Sequence, residues 1–300
     1  MRIPDTSQIL LNALNVSAQA EQAALLQMTT GRRVNSPSDD PSAAAAEVGV
    51  SSQSDACDQF LRSISGISTE LQTADSALSS GVTALQRAIT LGVEGANGTM
   101  SQTDRTTLAG EVQSISQQML GVANLAVNGR YVFAGTADSQ PPYVTVSGGV
   151  VYQGNDSVNQ VEIEPGETVA VNQPGSRLFS ASGAGVFQAL ADLAAALQSS
   201  SSSPDDIAAA TNEVRSAYDQ LNSARTFYGT TLDQLNATQT FLNSEKVQLT
   251  QQTSDLVGVD MNQAATNLAN AEAARSATLQ AAASTGNLSL FDYLSAVSTR

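Results

Sequence analysis

A single seam of small and apolar residues dominates this chain. Stepping alternately by three and four from Ala43 gives Ala46, Val50, Gln53, Cys57, Phe60, Ile64, Ile67, Leu71, Ala74, Leu78, Gly81, Leu85, Ala88 and Gly92, and only Gln53 is plainly polar. A heptad seam this long predicts one unbroken helix over 42–97, about 85 Å in length, in a left-handed bundle or coiled coil. A second seam answers it. From Ile207, every seventh residue is apolar: Val214, Leu221, Tyr228, Leu235, Leu242, Leu249 and Leu256. The flanking row, Ala210, Ala217, Ala224, Thr231 and Thr238, is small, which lets a partner helix approach closely. Two seams of matched length, separated in the chain, predict two helices packed side by side. An intermolecular coiled coil also satisfies the pattern, but short turns between the helical segments favour folding back within one chain.

The punctuation agrees. In "TGRRVNSPSDDPSAAAA" (30–46), Gly31 is placed to end a first helix over 7–29 in the left-handed conformation. Pro37 and Pro41 forbid helix across the gap, and Asp40 is placed to cap the next helix with Pro41 at its first position. Thr103 or Asp104 is placed to cap a third helix, with Leu108, Val112, Ile115, Met119, Val122 and Ala126 on one face. Ser203, Pro204 and Asp206 form a capping box ahead of the 207–256 seam. Near "NGRYVFAGT" (128–136) the period changes. "YVTVSGGVVYQG" reads as two strands across Gly148-Gly149, and "VEIEPGETVAV" as two more across Pro165-Gly166. A short helix follows with Val186, Leu190, Leu193 and Leu197 inward, and an alanine-rich helix after Met261 is expected to end at Gly286. The fold class is therefore mainly α: an elongated antiparallel helical bundle or coiled coil built from the N- and C-terminal segments, with a small β-rich insert.

Both ends carry apolar residues with no evident partner in the middle of the chain. Leu11, Leu14, Leu25 and Met28 lie on the first helix; Leu288, Leu290, Phe291 and Leu294 lie in the tail "NLSLFDYL". These eight are the candidate assembly interface, each terminus against the other and then against a neighbouring subunit.

Composition narrows the chemistry. There is no histidine, so a Ser-His-Asp triad is impossible and the commonest metal ligand is missing. Cys57 is the only cysteine, and its place on the seam reads as core. No Walker loop and no dinucleotide glycine motif occurs. Asp39-Asp40 and Asp205-Asp206 invite reading as metal or acid/base pairs, but helix N-termini that favour negative charge account for them better. Arg32-Arg33 reads as a pair of cations at a helix C-terminus rather than a phosphate site. Gln53 and Arg225 are equally well specificity elements of the bundle or seam irregularities. No catalytic, cofactor or metal site is expected. A net charge of -15 argues against nucleic acid and anionic membrane surfaces. No apolar run reaches the ~18 residues of a membrane span. The N-terminus shows no cleavable signal, and by composition alone the chain reads as cytoplasmic.

"TTGRRVNSPSDDPSAAAA", "EGANGT", "NLAVNGRYVFAGT" and "LSLFDYL" together resemble the flagellin superfamily, and within it the hook-associated proteins at the junction of flagellar hook and filament. The proline after the Asp pair, "GRYVFAG" and the ending "LFDYL" lean away from filament flagellin. The resemblance implies an inner coiled-coil domain of the termini (1–41 and 258–300), a long helical bundle (42–136 and 183–257) and a small β-rich outer domain (137–182). It makes 31–41 the joint between the first two. It further implies a junction protein that assembles with itself, meets another hook-associated protein on the hook side and flagellin on the filament side, and uses an export chaperone. It places the protein on the bacterial flagellum, secreted through the type III apparatus without a cleaved signal, in place of the cytoplasmic reading. A minor flagellin of the filament and a cytoplasmic coiled-coil adaptor are the alternatives.

Overall fold

The computed structural model describes residues 6–147, 149–180 and 185–297, with the side chains of 6, 7, 10 and 284–297 left out. Seven helices and three two-stranded hairpins account for them. The helices are α1 (Thr6–Thr30), α2 (Pro41–Gly95), α3 (Gln102–Ala123), α4 (Gly175–Phe179), α5 (Val186–Gln198), α6 (Pro204–Val257) and α7 (Met261–Val297). The strands are β1 (Ala126–Val127), β2 (Arg130–Tyr131), β3 (Tyr143–Val146), β4 (Gly149–Tyr152), β5 (Gln160–Glu164) and β6 (Glu167–Ala170), paired antiparallel in chain order. The fold is a helical bundle with a small β insert, as the seams predict.

The chain divides into two compact units, residues 1–57 with 244–300, and residues 58–243. In the second unit α2, α3, α5 and α6 build the core. The α6 rows are buried as read: Ile207, Val214, Leu221, Tyr228 and Leu235 are fully covered, and the small row from Ala210 to Thr238 is buried beside them. The small row works by closeness. A Cβ on Gly92 of α2 would stand 2.2 Å from the Thr211 hydroxyl of α6, so the Thr211 side chain packs directly on the Gly92 backbone and no larger residue fits there. Gly81 likewise faces Met119 of α3 and Leu221 of α6. A bidentate ion pair fixes the register, with the Arg225 guanidinium 2.8 and 3.2 Å from the Asp75 carboxylate oxygens. Arg225 is thus an interhelical clasp, whereas Gln53 is exposed.

The α2 seam is not uniform. From Leu71 to Gly92 both of its rows are buried. From Ala43 to Cys57 only one row is, and Ala46 and Gln53 are exposed. In the second unit α3 also packs on α2, as the Gly81–Met119 approach shows, so two faces of the helix are covered. Cys57 is buried in the surviving row, as expected for core.

Three expectations need correcting. The α3 cap is Ser101, ahead of Thr103 and Asp104. Its hydroxyl accepts the Asp104 N–H while donating to the Asp104 carboxylate at 2.7 Å. The α3 face rotates accordingly: Ala109, Val112, Ile115, Met119 and Ala123 are buried, while Leu108 and Val122 are half-buried. Gly286 does not end α7, which continues to Val297; a glycine inside a helix costs only about 1 kcal/mol relative to alanine. The other caps match. Gly31 takes φ +69°, α2 starts at Pro41, and Ser203 and Asp206 exchange the reciprocal bonds of a capping box at 2.8 and 3.2 Å.

The β1–β2 and β5–β6 hairpins turn where asparagine or glycine accepts positive φ, at Asn128-Gly129 and at Gly166; Gly148 lies outside the described residues. Under the insert is a nest of rings. Tyr143 lies 5.1 Å from Tyr152, 5.7 Å from Phe179 and 5.2 Å from Phe187 between centroids. Phe187 belongs to α5, so four rings of this aromatic-poor chain meet where the insert seats on the helices. Burial pushes the Tyr143 and Tyr152 hydroxyls up from their ordinary values, keeping both neutral.

Candidate assembly surface

Helices α1 and α7 pack against each other in the first unit. Across 25 residues α1 has one charged side chain, Glu21, and the Arg275 guanidinium of α7 meets it at 2.7 Å. Glu21, a charge set among the apolar and small residues of α1, is therefore the pairing point. Around it Leu14, Ser17, Ala18, Ala24 and Met28 turn toward the pair and are half to fully buried.

Large apolar side chains also remain outside. Ile9, Leu11, Val16, Leu25 and Leu26 are between 47% and 65% exposed. Ile9 and Val16, one heptad apart, lie on one flank of the seam; Leu11 and Leu25, two heptads apart, lie on the other. A solvated helix carries charge on its outer face. This one carries uncharged amides there, at Gln8, Asn12, Asn15, Gln19 and Gln22 with Leu26 among them, and apolar side chains on both flanks, so no charge opposes a neighbour packing against it. Of the predicted interface, then, Leu11 and Leu25 are exposed, and Leu14 and Met28 are half-buried in the α1–α7 seam. Leu288, Leu290, Phe291 and Leu294 fall on the α7 backbone, but their side chains lie outside the described residues.

The joint after α1 is built, not slack. Asp40 accepts the Ala43 N–H at 3.1 Å and the Ser42 hydroxyl at 2.8 Å, and Arg33 holds its other oxygen at 3.2 Å. Asp39 caps in the opposite direction, accepting the N–H groups of Asn35 and Ser36 at 3.0 and 2.8 Å. Arg32 and Arg33 do not serve the α1 C-terminus, as read from sequence; they cross the gap, Arg32 to Glu47 and Arg33 to Asp40. Nearby stands the second break, between α6 and α7. Arg33 N–H donates to the Val257 carbonyl at 2.7 Å, and Val259 N–H donates to the Gly31 carbonyl at 3.1 Å. Arg33 also reaches the Leu256 carbonyl at 3.0 Å. Val34, Ala43 and Val257 form a small core beneath. Sequence reasoning missed this pairing. The signal was Gly258 and Asp260, a stop and a cap like those of the first break: a Cβ on Gly258 would meet the Ser254 carbonyl at 2.3 Å, and Asp260 caps Asn262 and Gln263.

The Asp40 carboxyl is drawn from 3.8 down to about 2, chiefly by the Ala43 backbone bond and then by Ser42 and Arg33. A folded-state value below the unfolded one means its stabilising effect is complete above 3.8 and fades as pH falls toward 2. Cleavage within 31–41 by an acid-active protease is expected to rise across that window. Asp40→Asn should raise cleavage already at about pH 5, above the titration window, and flatten its rise below about pH 4. An unchanged acid response in Asp40→Asn would exclude this carboxylate as the cause.

Among the described residues no group of three or more Cys, Asp or Glu converges on a metal-sized site, and no helix is long and apolar enough to cross a membrane. The class defined by this geometry is a helical bundle protein with a charge-poor terminal helix pair and a β insert. The chain belongs to the bacterial flagellin family: residues 6–138 match the bacterial flagellin N-terminal helical region and residues 211–294 the C-terminal helical region. It is 34% identical over 155 residues to flagellar hook-associated protein 3 of Salmonella typhimurium, covering 51% of this chain and 48% of that one. The chain thus spans about half the length of the curated relatives it matches. The crystal structure of Bacillus cereus FlgL superposes with TM-score 0.58 at 20% identity, over 70% of this chain and 99% of that one. Xanthomonas campestris FlgL gives 0.58 at 21%, over 67% and 98%.

Proposed function

We propose that this protein is a structural component of the bacterial flagellum, joining hook to filament by helical self-assembly through its terminal helices. The observation that carries the reading is α1: its one charge is neutralised inward, and its outer flanks are exposed leucine, isoleucine and valine. Such a surface is stable in water only at a cost that burial against neighbours removes. The hook-associated names of its relatives support the junction over the filament itself. The residues proposed for assembly are Leu11, Leu14, Leu25, Met28, Leu288, Leu290, Phe291 and Leu294. In the proposed division, 1–41 with 258–300 is the inner assembly domain, 42–136 with 183–257 the bundle, and 137–182 the outer domain. Its partners are further copies of itself, another hook-associated protein on the hook side, flagellin on the filament side and an export chaperone. It reaches the flagellum by type III export without a cleaved signal, and it carries out no catalysis.

Electron microscopy of cells lacking the protein tests this. Hooks without filaments are expected, with flagellin released into the medium. Filaments still attached to the hooks would refute the junction role, and shortened or thinned filaments would favour a minor flagellin instead.

A further inference from the structure

An α-helix leaves its last four carbonyls without partners inside the helix. In α6 these belong to Ser254, Asp255, Leu256 and Val257. Gly258 N–H closes on the Ser254 carbonyl at 2.8 Å. The Leu256 and Val257 carbonyls are taken by Arg33, from the other end of the chain. Its guanidinium donates to Leu256 at 3.0 Å and its backbone N–H to Val257 at 2.7 Å. The same guanidinium donates through both terminal nitrogens to one Asp40 oxygen, at 3.2 Å each. The other Asp40 oxygen caps α2 by holding the Ala43 N–H. Arg33 thus bridges the end of one helix to the cap of another. It sets a cation where α6 presents carbonyls and steadies an anion where α2 presents N–H groups, as both helix dipoles favour. Beside it Arg32 and Gly258 form an antiparallel bridge, and Val259 N–H returns to the Gly31 carbonyl at 3.1 Å. All of these residues belong to the first compact unit.

We propose that Arg33 is a positioning residue for assembly: it caps α6 from a distance and makes the breaks at 31–40 and 258–260 one cooperative joint, so that α1 and α7 leave their rods in a fixed direction together. The second break cannot supply this cap itself. Between α6 and α7 it holds only Gly258, Val259 and Asp260. Glycine and valine side chains donate nothing, and an ionised aspartate only accepts. Asp260 is in any case committed to α7, where it accepts the Asn262 and Gln263 N–H groups at 2.8 and 3.2 Å. The backbone of Gly258 is already pressed against α6, with room for no Cβ beside the Ser254 carbonyl. The donors for Leu256 and Val257 therefore come from the first break, and order at one break requires order at the other. The consequence for assembly rests on the junction reading: the joint sets where the exposed flanks of α1, with Leu11 and Leu25, are presented.

Amide hydrogen exchange on the full chain, read by mass spectrometry over peptides covering 31–40 and 254–260, tests the cooperation from both sides. Arg33→Met keeps the reach of the side chain and the backbone N–H but removes the guanidinium donors. The side chains of Arg33 and Asp40 are 48% and 28% exposed, so the expected effect is modest. Exchange should rise about three- to ten-fold in 254–260 and by the same factor in 31–40, with 210–240 unchanged. Gly258→Ala crowds the second break and should raise exchange in 31–40, because coupling between two sites is reciprocal. Arg33→Lys, a point charge that cannot fork to Asp40 and Leu256 at once, should fall between Arg33→Met and the unaltered chain. If each variant loosens only its own break, the joints are independent and the proposal is overturned. Unprotected exchange at both breaks of the unaltered chain overturns it too. In cells, Arg33→Met should be secreted yet leave fewer hooks bearing filaments; normal filament numbers would overturn the positioning role. If cells lacking the protein altogether still carry filaments, it is the junction reading that fails, whereas the exchange result is read on the free chain and stands or falls separately.

Discussion

Leu221→Ala is expected to lower the stability of the bundle by about 2–5 kcal/mol, the usual cost of emptying a packed leucine site. Leu221 is fully buried in the middle of α6, and its Cδ2 is the atom nearest Gly81 of α2 after the Met119 sulfur. Gly81 contributes no side chain to fill the void, so any relaxation falls to Met119, whose thioether lies beside it. Leu221→Asp should be worse. It adds an unpaired carboxyl where the neighbours are leucine, methionine and glycine, and such a group either charges at great cost or stays protonated without partners. Urea unfolding followed by far-UV circular dichroism measures both. Phe241→Ala is the control, since Phe241 is a larger apolar side chain on the same helix but 56% exposed; it should change stability by no more than about 0.5 kcal/mol. Equal losses at positions 221 and 241 would mean that the seam is not the source of stability.

Tyr143→Ala should release the β insert while leaving the helices folded. The ring contacts three aromatic neighbours, and its hydroxyl lies 3.0 Å from the Ser180 hydroxyl. Its backbone is held at both ends by the Asn124 amide, at 2.9 and 2.8 Å. Truncating a buried aromatic of this kind costs about 3–5 kcal/mol, and a two-stranded hairpin has little stability of its own to absorb that. The near-UV tyrosine signal and amide protection in 143–170 should fall sharply, while far-UV helical signal stays near wild type. Tyr143→Phe keeps the ring and removes one hydroxyl bond, so it should cost about 1 kcal/mol. If Tyr143→Ala melts the helical signal in parallel, the insert and bundle are one cooperative unit and the seating described above is integral to the core.

The parts of this fold legible in the sequence are those governed by local geometry. A residue's place on a helix face follows from its number, so the α6 rows from Ile207 to Thr238 were readable before any partner was known. Caps are equally local: Gly31, Asp40 with Pro41, and Ser203 with Asp206 all act on backbone within a few residues. The misreadings have the same origin. Ser101, Thr103 and Asp104 all suit a cap, and the choice among them depended on reciprocal bonding that spacing does not reveal. Gly286 reads as a stop by habit, yet nothing local compels it.

The candidate surface was legible only in outline. An apolar first helix was evident, but which residues face α7 and which face outward depended on where Glu21 finds Arg275, 254 positions away in the chain. Leu14 and Met28 went inward with that pair, while Leu11 and Leu25 stayed out. Arg32 and Arg33 sit beside the α1 C-terminus in sequence, and only the folded joint turns them to Glu47 and Asp40.

By itself, then, the sequence determined the periodic elements, their ends, the absence of histidine chemistry and the family, because each is set by neighbours along the chain. The tertiary structure alone decided two things. It brought the two helix breaks together through Arg33, Val257 and Gly31. And it gathered Tyr143, Tyr152, Phe179 and Phe187 beneath the insert. Each is a meeting of segments far apart in sequence, settled by which surfaces remain to be covered once the helices exist, and no local pattern encodes that.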